Sequence, residues 1–112
     1  MAKIPYAEAA IADLRKIADY CLNPEHPRGR HKARVFREAL GIEREDAEWL
    51  RDALLEGLRR LGEGHLIGAD IYGERWRVDI PLARHDKHSV VRTIWLVPSG
   101  SRDVRLVTCW VL

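Results

Sequence analysis

Cysteine is scarce in this chain and has no framework spacing. Cys21 and Cys109 are the only two, far apart in sequence and without a CxxC pair, so neither a disulfide scaffold nor a zinc site is written and a reducing, cytoplasmic setting is expected. No apolar run approaches the roughly 20 residues that a bilayer-spanning helix needs. The opening "MAKIPYAEAA" lacks the apolar stretch of an export signal, which predicts an unexported chain without a membrane partner. GxSxG and HExxH do not occur. Gly62 and Gly64 form a GxG behind a helical pattern, where a nucleotide fold needs a strand, so no cofactor is indicated. His85 and His88 form an HxxH in a polar hairpin without a close third ligand, which reads as turn and leaves no metal site.

Repeats and low-complexity segments are absent as well, and what is present belongs to one globular unit. The 112 residues fit a single domain, 1–112, with 46% hydrophobic residues and four Trp to build its core. The formal charge of +2 conceals an imbalance. Arg28 to Arg37 holds five Lys/Arg and no acid, whereas Glu43 to Glu56 is rich in Asp and Glu.

Periodicity divides the chain into helices first and strands second. Ile11, Leu14, Ile17, Ala18 and Cys21 recur at helical spacing, predicting a first helix over 8–21. Asn23-Pro24 stops it, because proline lacks the N–H that a helix needs and pushes its predecessor out of the helical region. Ala33, Phe36, Ala39 and Leu40 predict a second helix over 30–40, closed by Gly41. Ala47, Leu50, Leu54, Leu58 and Leu61 predict a third over 45–61, with acids early and Arg59 and Arg60 late, as the helix dipole favours.

Beyond Gly64 the period becomes two, and strands are expected near 66–72, 74–82, 89–97 and 103–111. Their short connections favour antiparallel pairing. The expected class is α+β, with N-terminal helices packed on one face of a four-stranded antiparallel sheet. Arg75, Arg77 and Asp79 then lie on the open face. A simple hairpin across Arg84 to His88 sets Arg77 near Trp95 and Asp79 near Thr93, a register that a one-residue slip would invert.

The block "LNPEHPRGRHKARVF" at 22–36, with "YGERWRVDI" and "VRTIWLVPSG...LVTCWVL", resembles a family of small bacterial domains found alone or at the ends of larger toxin-like proteins. The resemblance covers residues 4 to 112. It implies a toxin with an acidic, antitoxin-like protein partner encoded alongside. The order of helices followed by an antiparallel sheet is also similar to the barnase/EndoU/colicin/RelE group of ribonucleases.

Metal-independent RNA cleavage needs a proton-transfer group and cations that stabilise the phosphorane. His31 is the candidate for proton transfer, against a plain role at a helix start. Lys32 and Arg77 are the candidates for charge stabilisation, with Thr93 or Thr108 positioning the phosphate. Arg28, Arg30 and Arg34 are expected to bind the RNA backbone without sequence information. For Arg34 and Arg37 a solvated helix face competes with that role, and for Arg77 an ion pair with Asp79 or Glu74 does. Thr93, Trp95, Thr108 and Trp110 repeat a Thr-x-Trp spacing that makes the indoles either base-stacking platforms or core. The expected function is a ribonuclease toxin. The alternative is a non-catalytic binding module, such as the antitoxin or immunity side of such a pair or an RNA-binding accessory protein, and no specificity for DNA is inferred.

Overall fold

The computed structural model describes residues 1–112 and is α+β, with its helices preceding most of an antiparallel sheet. The sheet has five strands in chain order: β1 (Ala2–Lys3), β2 (Glu63–Asp70), β3 (Gly73–Arg84), β4 (Lys87–Pro98) and β5 (Arg105–Val111). The expectation of four strands misses β1, whose two residues pair with Gly64 and Glu63. So short a strand carries no alternation to read.

The second and third helices form where their apolar spacing places them. They are α2 (Arg30–Leu40) and α3 (Ala47–Leu61), the latter entered through a 3₁₀ turn at Arg44–Asp46. Gly41 closes α2 in the left-handed conformation, as its sequence position suggests. In α3, Gly57 lets the helix lie directly on β3, since a Cβ there would run into Ile80 Cγ2.

The first helix is not continuous over 8–21. A 3₁₀ turn at Ala7–Ala9 ends at an extended Ala10, and Ile11 then adds a bridge beside β5, exchanging bonds with Val104 O and Leu106 N. Asp13 restarts the helix by accepting from Arg15 N at 2.9 Å. Only α1 (Leu14–Lys16) is α-helical, and a π turn over Ile17–Cys21 completes it. No helix is long and apolar enough to cross a membrane.

The core fills one face of the sheet. Ile17, Cys21, Phe36, Leu40, Leu50, Leu54 and Leu58 pack against Trp76, Val78, Ile80, Val91, Trp95 and Leu106. The β3–β4 register differs by one residue from the simple hairpin expected. The turn is two residues, His85 and Asp86, closed by Arg84↔Lys87, with His85 at φ 56. Trp76 therefore faces Trp95, Val78 faces Thr93, Arg77 faces Ile94 and Asp79 faces Arg92. The slip turns Thr93 and Trp95 into the core and brings Arg92 beside Asp79 on the open face.

Candidate nucleic-acid interface

The basic elbow is built by local polar bonds before any ligand is considered. Asn23 Oδ1 accepts from Glu25 N at 3.0 Å, and Asn23 Nδ2 reaches back to Asp19 O at 3.2 Å. His26 then closes the turn that leads into α2. Its Nδ1 accepts from both Arg28 N and Gly29 N at 3.0 Å, and its ring meets Tyr20 edge-on at 4.7 Å. These bonds fix the turns that precede α2. Gly29 presses on the π turn so closely that a Cβ there would collide with Tyr20 O.

Two clefts flank the start of α2, and His31, exposed, lines both. The larger, about 590 Å³, runs along the outer face of the helix past Arg30, Arg34 and Arg37, with Glu43, Arg44 and Glu45 on the far side. Arg30, Arg34 and Arg37 fall on one helical stripe. Arg15, Arg44, Arg51, Arg75, Arg84 and Arg92 each pair with an aspartate, whereas Arg28, Arg30, Arg34 and Arg37 have no acidic side chain within 4.0 Å. The elbow's guanidinium groups are therefore free to bind an anion.

The smaller cleft, about 370 Å³, is lined by His31, Lys32, Val35, Trp110 and Val111. At its wall Lys32 Nζ donates to Thr108 Oγ1 at 3.0 Å and lies 5.0 Å from the Tyr20 ring centre and 5.2 Å from that of Trp110. The ammonium is thus held by a hydroxyl and two aromatic rings. Behind it Cys21 and Cys109 are both buried and free, adjoining in space despite their separation in sequence. A hydrogen bond from the Cys109 thiol, aided by the Lys32 charge and by Thr108, brings the Cys21 thiol down to about 7 against the opposing effect of burial. Cys109 is pushed well above 9.0 by that same bond, by burial and by the charge on Cys21.

The structure thus gathers His31, Lys32, Thr108 and Trp110 at one place, with Arg28, Arg30 and Arg34 on the adjoining elbow. It does not bring the other sequence candidates there. Thr93 is fully buried, donates to Val78 O at 2.6 Å and accepts from Trp95 Nε1 at 2.7 Å, and Trp95 is fully buried too. Both belong to the core by the register slip. Arg77 lies on β3, two strands in from β5, in the row Arg77, Ile94, Thr108. Its side chain lines a separate small cleft with Met1, Glu63, His65 and Asp79. Asp79 is engaged elsewhere, in a two-bond pair with Arg92 at 2.9 and 3.0 Å that holds its carboxyl below the usual range.

Tyr20, Cys21, His26 and Cys109 are the parts of this arrangement that the sequence alone does not assign. Cys21 falls on the apolar stripe of helix one, and no local spacing joins the end of that helix to the last strand. Among known families, one model matches residues 3–112, and its description is Domain of unknown function (DUF6883). The chain belongs to the DUF6883 family. No curated protein and no solved structure matches it. In this DUF6883 chain the match spans every element that builds the elbow and the Lys32 cluster.

Proposed function

We propose that the chain is an RNA-cleaving toxin whose elbow holds the phosphate backbone and whose reacting centre is His31 with Lys32 and Thr108. The observation that carries this reading is the Lys32–Thr108 bond, which fixes a cation from the start of α2 against the last strand, with His31 beside it. In the proposed mechanism Arg28, Arg30 and Arg34 engage phosphates flanking the cleavage point. Trp110 offers a face for a base. His31 takes the proton from the 2'-hydroxyl, whose oxygen attacks the adjacent phosphorus and expels the 5'-oxygen of the next nucleotide, which takes a proton from water as it leaves. Lys32 offsets charge on the phosphorane, and Thr108 sets its position. The products are a 2',3'-cyclic phosphate end and a free 5'-hydroxyl. An acidic protein partner, by the same electrostatics, would cover the arginine stripe and block entry of RNA.

A second reading has its own support. Arg30, Arg34 and Arg37 lie on the outer face of α2 and need neither His31 nor Lys32 to bind RNA, so a module that binds without cleaving fits the same stripe. Purified chain incubated with tRNA and mRNA in EDTA separates the two. Cleavage to cyclic-phosphate ends, cut by about 10² to 10⁴ in His31→Ala, supports the toxin. Intact RNA retained in a salt-sensitive complex establishes the binding module instead.

A further inference from the structure

The face of the sheet that the helices leave open runs directly from the Lys32 cluster. Residues paired across strands share a face, and two rows cross β3, β4 and β5 there: Arg77, Ile94 and Thr108 in one, Asp79, Arg92 and Trp110 in the other. Both rows end on β5 at the side chains that hold Lys32. A third row joins Arg75, Leu96 and Arg105.

Cations on this face outnumber the acids that could pair with them. Asp70 is taken by Arg75 at 3.0 Å, and Asp79 by Arg92 at 2.9 and 3.0 Å. Arg77 and Arg105 have no acidic side chain within 4.0 Å, Glu63 in the cleft beside Arg77 included. Arg77 is half-buried, and its Nε is buried without any hydrogen-bond partner. A guanidinium placed so costs stability, which an anion bound to it would offset.

Between these cations the face is apolar. Ile94, Leu96 and Trp110 are half-buried and have no element packed over them. Cations that track a backbone, with an aromatic ring and flat apolar surface between them, suit a strand whose bases are splayed out. A duplex hides those base faces.

We propose that single-stranded RNA crosses this face from the Lys32 cluster toward β3, with Arg77 and Arg105 binding phosphates away from the reacting centre and Trp110, Ile94 and Leu96 carrying bases. From β5 to β3 the path covers about 10 Å, two strand spacings. It rests on the reading that the elbow and Lys32 hold RNA, and not on cleavage. Arg77 thereby acts on the strand at a distance from His31 and takes no part in the reaction.

The test uses the full chain and labelled 2'-O-methyl oligonucleotides, which resist attack, so that fluorescence anisotropy reads binding without cleavage. A trinucleotide is too short to fill both ends of the path, and a hexanucleotide is long enough. Wild type is expected to hold the hexanucleotide at least about tenfold more tightly. Arg77→Met and the exposed Arg105→Ala should each remove about threefold or more of that gain and lower the salt slope by about 0.7. Trinucleotide affinity should stay unchanged, and the thermal midpoint should be no lower. A trinucleotide held normally with no gain for the hexanucleotide overturns the sheet path and leaves RNA binding at the elbow intact. A gain that both variants keep overturns it too. Binding of neither oligonucleotide removes the RNA reading and this path with it. A duplex or polyglutamate held as tightly as the hexanucleotide, and weakened equally by the variants, assigns the face to another polyanion and overturns the choice of a single strand.

Discussion

Thr93 joins two strands and an indole through one hydroxyl, donating to Val78 O and accepting from Trp95 Nε1. Thr93→Val keeps the shape and leaves both partners buried without a bond. The expected loss is about 2 to 6 kcal/mol in urea unfolding, from about 1 to 3 for each unsatisfied group, and a change under about 0.5 would count against that role. Cys21 gives a pH signature. Its thiol sits at about 7 when folded against 9.0 for a free thiol, so its contribution to stability is complete above pH 9 and is lost as pH falls through 7. Cys109, shifted upward, acts in the opposite sense and only above 9.0. Between pH 7 and 9 wild type should therefore gain stability relative to Cys21→Ala, and parallel unfolding curves across that window would contradict the assignment. Single-residue roles are the least legible layer of the sequence. Lys32 and Thr108 are identifiable as a cation and a hydroxyl of the right kind, but whether Thr93 faces solvent or core depends on a two-residue turn whose length the residues Arg84 to His88 do not dictate.

At the scale of elements, the elbow works because three of them meet without a gap. The π turn ends under Gly29, His26 closes the turn before α2, and α2 lies against β5. Gly29→Ala would force a methyl group into the carbonyl of Tyr20. It should cost about 2 kcal/mol or more, as overpacking does, and should disturb Lys32 through Tyr20. The check is thermal unfolding, with the fluorescence of Trp110 as a local reporter; an Ala variant as stable as wild type would show that the contact relaxes freely. Elements are legible where periodicity is long. The eleven-residue α2 and fifteen-residue α3 carry three or more turns of apolar stripe. The first helix escapes that reading because Ile11 shares the stripe's spacing yet bonds to the β5 edge, a long-range choice that spacing cannot register.

For the whole molecule, charge is sorted by neighbourhood: six arginines sit beside an aspartate, and a group of those left over concentrates on the elbow. Arg30→Ala with Arg34→Ala should weaken RNA binding at all sequences and flatten the dependence of log K on log salt by about one unit for each phosphate no longer neutralised. An unchanged slope would reduce the stripe to a solvated surface. The α+β class and antiparallel sheet are visible from composition and period, while the gathering of His31, Lys32, Thr108 and Trp110 requires the fold to join residues 31–32 to 108–110. The most direct test of the proposed function is one experiment on Lys32→Met, measuring RNA binding and RNA cleavage in the same samples beside wild type. RNA binding is expected to stay within a few-fold of wild type, because the arginine stripe is intact, while cleavage falls by about 10² or more. Cleavage at the wild-type rate in Lys32→Met would contradict it.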